Sequence, residues 1–249
     1  MRYLCFFVWG FWASLVQGET VYVYPGNLPI SGVDGRETVE GIIPSLISAA
    51  FDRVGIKSQF QVLPFKRALA EATLGRGLVA GIISTPERRK SLQFSAPIFY
   101  SYIGLITRQK DKFQKDALVK LHGKAVGTKL GFRFPEPLEG KVRKGLVDLV
   151  YGSHEVNLER LLKKRISAIA LNLETAKLLK LDHPKAFKKL NIISFQDMRV
   201  DFYLAGKKGK YDVLIEEFNR GFQQVPLEQR TLIIDRVFRK LGRTTAAHK

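Results

Sequence analysis

Two hydroxyl side chains, Ser84 and Thr85, close an apolar run (residues 78–84, LVAGIIS), and the guanidinium of Arg88 follows within a few residues. A run so poor in polar side chains reads as a strand covered on both faces. Ligands of open α/β sheets gather at strand carboxyl ends, so the two hydroxyls stand where either a ligand contact or a helix cap is expected. Arg88 carries a planar fork of donors that suits a carboxylate. Beside Arg89 and Lys90 it also reads as a surface arginine. Tyr24 and Phe65 offer aromatic faces to the apolar or cationic parts of a small ligand, or simply join the core.

Other chemistries find little support. His122, His154, His183 and His248 lie far apart without metal-ligand spacing, so neither a metal nor another cofactor is expected. The segment Gly75-Arg76-Gly77 lacks the lysine and spacing of a phosphate-binding loop, and no Gly-x-Ser-x-Gly nucleophile occurs. Glu174 and His154 are the only nearby acid–base candidates, and neither sits in a catalytic motif. The formal net charge is +18. Its Lys and Arg residues are scattered beside predicted helix ends and loops, which favours solvated faces over a nucleic-acid surface; attraction to an anionic membrane or ligand is a secondary reading.

The elements that must position these residues alternate between strand and helix patterns, which predicts an α/β fold. Strands are expected over 20–24, 58–63, 78–84, 103–107, 124–128, 166–171, 191–195 and 200–204. Helices are expected over 41–54, from Pro64 to a stop at Gly75, after Thr85-Pro86, and over 156–164, 173–181, 211–224 and 227–241, with a frayed end at 243–249. Arg2, the uncharged run LCFFVWGFWASL and the exit at Gly18 describe a secretory signal peptide over residues 1–18. The single cysteine, Cys5, lies inside it, so the remaining chain relies on its core rather than on disulfides.

Several strings resemble the bacterial extracellular solute-binding proteins of family 3, the polar-amino-acid type. Thr85-Pro86-Glu87-Arg88, then Phe94-Ser95-Ala96-Pro97 and Tyr100, is similar to the T-P-E-R…F-S-x-P-Y segment of that family. Gly41…Leu46, Pro64-Phe65-Lys66-Arg67-Ala68-Leu69, Val126-Gly127…Gly131, Arg165-Ile166-Ser167-Ala168 and Asn219 resemble further landmarks in the same order, from about residue 20 to about 240. The resemblance implies a two-lobed periplasmic-binding fold of type II with two interlobe crossings: residues 19–107 plus 205–249 in one lobe, 108–204 in the other. It also implies a ligand cleft, closure by a hinge motion, a periplasmic location, a monomer without enzymatic activity, and a membrane permease or sensor as a separate chain. A few relatives on this fold are periplasmic dehydratases of cyclic acids, which is the alternative reading.

The resemblance makes Arg88 the anchor of a ligand carboxylate, with Ser84, Thr85, Tyr24 and Phe65 around it. Arg67 either faces the cleft or solvates its helix. Phe132 and Arg133 stand where the family shows a small residue and then a threonine or serine; a second arginine there favours an anionic ligand. The acids that hold a ligand ammonium in amino-acid binders are replaced by Tyr24 and by Asn172, with Glu174 two residues later, and Ser167 replaces the aspartate of R-x-D-A. An amide hydrogen-bonds an ammonium but does not neutralise it. The expected ligand is therefore a small polar, carboxylate-bearing solute rather than a standard amino acid.

Overall fold

The structure, a computed structural model, describes residues 18–34, 38–113 and 117–247. The leader read over 1–18 lies outside these residues except for Gly18, as do Cys5, Gly35 and His248. The chain runs β1 (Glu19–Val23), β2 (Gly32–Val33), β3 (Val39–Glu40), α1 (Ile42–Arg53), β4 (Ser58–Val62), α2 (Phe65–Leu74), β5 (Leu78–Ile82), α3 (Arg88–Ser91), β6 (Leu92–Phe94) and β7 (Phe99–Arg108). It continues through α4 (Ala117–Lys120), β8 (Lys124–Thr128), α5 (Glu136–Arg143), β9 (Val147–Tyr151), α6 (His154–Leu162), β10 (Ala168–Asn172), α7 (Leu173–Asp182), α8 (Pro184–Phe187), β11 (Leu190–Lys207), α9 (Asp212–Gln223) and α10 (Leu227–Ala247).

Local chemistry accounts for most boundaries. Pro64 precedes α2, where its missing N–H costs nothing, and Gly75 ends that helix in the left-handed region at φ 80°. Ser153 caps α6 by accepting from the Val156 N–H at 3.2 Å. Gly41 precedes α1 at φ 132°, where an added Cβ would lie 2.7 Å from the Ile30 carbonyl oxygen, so both backbone angle and space require glycine. Every residue of β5 is buried, as its unbroken apolar pattern predicts.

Two parallel sheet regions are joined by long antiparallel strands. In the first, β4, β1 and β5 run parallel, and β5 pairs antiparallel with the end of β11. In the second, β9, β8 and β10 run parallel, and β10 pairs antiparallel with β7. β11 pairs with β7 over Leu190–Ser194 and Arg199–Phe202, then with β5 and β6 from Tyr203 onward. The two strands expected over 191–195 and 200–204 are thus one strand of 18 residues whose register shifts between Ser194 and Arg199. The bulge breaks the sequence alternation, and pairing to β7 on either side keeps the strand continuous.

Packing of α1 against α9 anchors the first region. Phe51 and Phe218 meet edge to face with centroids 5.3 Å apart, and Gly221 brings the α9 backbone against Ala50. α6 and α7 bury Leu158, Leu161, Ala176 and Leu179 against Ile169 and Leu171 of β10. The helix expected at Thr85-Pro86 is a single turn that starts at Arg88, and α10 stays helical to Ala247 rather than fraying at 243. Elements α5 and β9, absent from the sequence reading, complete the second region.

Candidate functional site

The carboxyl ends of β1 and β5 open into a cavity of about 210 Å³ between the two sheet regions. Tyr24 follows β1 directly, and its hydroxyl donates to the Gly81 carbonyl at 2.6 Å. Burial pushes its pKa up to about 12, so it stays a neutral donor across the physiological range. The ring meets Phe65 edge on, with centroids 5.1 Å apart. Phe65 enters the wall because Pro64 turns the chain out of β4 into α2.

Arg88 lies across this aromatic pair, its guanidinium carbon 5.3 Å from the Phe65 centroid. One Nη donates to the Ile83 carbonyl at 2.7 Å, and the Arg88 N–H donates to Thr85 Oγ1 at 3.2 Å, which fixes the turn that carries it. The guanidinium is half-buried and forms no ion pair among the described residues. Burial accordingly lowers its pKa.

The opposite wall comes from the turn after β8. Lys129, Leu130, Gly131, Phe132 and Arg133 line the cavity. Lys129 spans the gap, its Nζ donating to the Gly26 carbonyl at 2.5 Å, and burial depresses its pKa. Arg133 is exposed and leans toward Glu139 at 3.4 Å. Asn172, at the end of β10, is 1% exposed; its Nδ2 makes a long 3.5 Å contact to Asn27 Oδ1, and its own Oδ1 has no hydrogen-bond partner. Thr175 Oγ1 donates to the Leu28 carbonyl at 3.1 Å, a second tie across the cleft.

The structure therefore gathers Arg88, Tyr24, Phe65, Phe132, Arg133 and Asn172 around one cavity. Ser84 and Thr85 instead face an adjoining groove that shares Arg88 and Arg133 with it. Arg67 is exposed on α2, outside the lining, because the helix turns Ala68 and Ala72 inward and leaves that face to solvent. Glu174 is also outside: its carboxylate accepts from Ser101 Oγ on β7. His154 lines a neighbouring pocket next to Lys129, where burial and the nearby ammonium lower its pKa. Sequence reasoning missed Lys129, although it stands between the two glycines of the Val126-Gly127…Gly131 landmark. Among the described residues no carboxylate lines the cavity. Among the described residues no His, Cys, Asp and Glu group has the arrangement of a metal site, and no helix is long and apolar enough to cross a membrane.

The model of the bacterial extracellular solute-binding proteins, family 3, matches residues 20–238. The chain belongs to this family. Solved structures agree on the fold of this solute-binding protein. It is similar to an ancestral arginine-binding protein bound to arginine, at 21% identity and TM-score 0.74 over 90% of this chain and 99% of that one. It is also similar to the amino acid ABC transporter substrate-binding protein AbpA from Streptococcus pneumoniae bound to L-arginine (22% identity, TM-score 0.71, covering 90% and 95%). A third likeness is to the VFT2 domain of BvgS from Bordetella pertussis (17% identity, TM-score 0.71, covering 88% and 92%). A search of curated protein sequences finds no match. The architecture is the two-lobed periplasmic-binding fold, and the cavity lies between the lobes of this family 3 protein.

Proposed function

We propose that this solute-binding protein is exported by its leader, captures a small carboxylate-bearing solute in the interlobe cavity, and presents it to a membrane transporter or sensor. One observation carries the reading: Arg88 is a half-buried guanidinium facing the cavity without a carboxylate of its own. A cation left unpaired in a partly desolvated site costs stability, and a ligand carboxylate supplies the missing partner. The lobes meet through Lys129 to Gly26 and Thr175 to Leu28, contacts that a hinge motion makes and breaks.

Pairing partners change at the β6–β7 junction and at Phe202–Tyr203 of β11. That pattern supports crossings between the lobes near residues 98–99 and 202–203, slightly before the 107–108 and 204–205 boundaries read from the sequence. Two of the similar proteins were solved with arginine bound. Among the described residues the cavity lining offers no carboxylate to pair with a cationic side chain, which argues for a different ligand here. The enzyme reading loses its expected acid and base, since Glu174 and His154 both lie outside the cavity; incubation with prephenate should leave its absorbance unchanged.

Thermal-shift screening against small carboxylates, followed by calorimetry, tests the proposal. A hit should raise the unfolding midpoint by mass action and lose that effect in Arg88→Gln. Tight binding of arginine, undiminished by Arg88→Gln, would overturn it.

A further inference from the structure

Two half-buried cations face the cavity from opposite sides: Arg88 beyond β5 and Lys129 after β8. Neither forms an ion pair with a carboxylate among the described residues. Arg88 spends one Nη on Ile83, and Lys129 spends one of its three ammonium protons on Gly26, so each keeps donors to offer. Arg133 adds a third positive charge at the rim. Arg133 already leans on Glu139, and Glu87 and Glu155 stand near Arg88 and Lys129 outside the cavity. Among the described lining residues no carboxylate faces either Arg88 or Lys129, because Glu174 is held by Ser101 and the amide of Asn172 is neutral.

We propose that the solute is a dianion without an ammonium group, one acid held by Arg88 and the second by Lys129. The inference rests on the carboxylate reading of the preceding subsection and narrows it. A zwitterion would place its ammonium among like charges, with only amide or carbonyl oxygens to accept from it. A single carboxylate would leave one of the two cations desolvated and unanswered. Between them, the rings of Tyr24, Phe65 and Phe132 offer an apolar passage that fits a hydrocarbon spacer rather than a polar one. With the acids gripped from opposite lobes, the ligand itself bridges the closed form.

Calorimetry on the purified protein tests this with four acids and one amino acid: glutarate against valerate, phthalate against benzoate, and glutamate. A diacid should bind about tenfold or more tightly than its matched monoacid, the size of one charge-assisted contact. Glutarate should also bind more tightly than glutamate. Lys129→Gln should lower the affinity for each diacid about tenfold or more relative to its matched monoacid, and Lys129→Arg should preserve the diacid preference. Equal binding of mono- and diacids, stronger binding of glutamate, or an equal loss for all acids in Lys129→Gln would overturn the dianion proposal and leave the carboxylate reading standing. Failure of all four acids to bind would overturn both.

Discussion

Ser101 Oγ on β7 donates a hydrogen bond to the carboxylate of Glu174 in the first turn of α7, and this contact keeps the acid nearest to Asn172 out of the ligand cavity. The pair ties β7 to α7 and leaves the described cavity lining without a carboxylate. The amide of Asn172 thus lines the cavity while the acid two residues later does not.

Replacing Glu174 with Ala should cost about 1 kcal/mol of stability, the net worth of one hydrogen bond with a buried partner left behind. Ligand preference should stay unchanged. Urea unfolding and a competition assay across carboxylates read the two effects apart, and a shift in preference would mean that Glu174 reaches the ligand.

Arg88→Gln should weaken the cognate carboxylate by about 100-fold, since it removes the charged fork and keeps only an amide. The ligand-free protein should melt at the same temperature or higher, because an unpaired, partly desolvated charge is gone. A large fall in the melting temperature without ligand would identify Arg88 as a structural arginine instead.

His154 sets an acid limit. Its folded pKa is depressed from 6.5 by burial and then by Lys129, so the unfolded chain binds the proton more readily. The cost to folding is absent above the unfolded value, grows as pH falls through it, and levels off below the folded value. Melting temperatures of wild type and His154→Gln should therefore converge with rising pH above 6.5 in slope, and the wild type should fall more steeply below it. Parallel profiles down to pH 5 would contradict this.

Gly221→Ala should destabilise without touching the site. Its Cβ would lie 2.1 Å from the Ala50 carbonyl oxygen, so α9 must move off α1. Overpacking of this kind costs about 1–3 kcal/mol, readable as a lower denaturant midpoint with ligand affinity retained in the folded fraction.

Much of this architecture is legible before any coordinates. Gly75 after an amphipathic segment, Pro64 ahead of it and the apolar stretch of β5 each encode a local preference that the structure keeps. Segments of mixed pattern were harder. Residues Glu136–Arg143 form α5 from only eight residues, interrupted by Pro137 and Gly140 and with only Leu138 buried, so the apolar pattern is too short to mark a helix by itself. The joined strand β11 depends on pairing with β7, which lies far away in sequence.

Residue order along the chain determined an α/β pattern through local propensity, and its motifs carried the resemblance to family 3 from which the replacement of the ammonium-binding acids by Tyr24 and Asn172 was expected. Which side chains share the cavity was decided only when distant strands came together. Packing turned Glu174 toward Ser101, left Arg67 in solvent and brought Lys129 to Gly26, three outcomes that depend on where another element sits rather than on any neighbour in the chain.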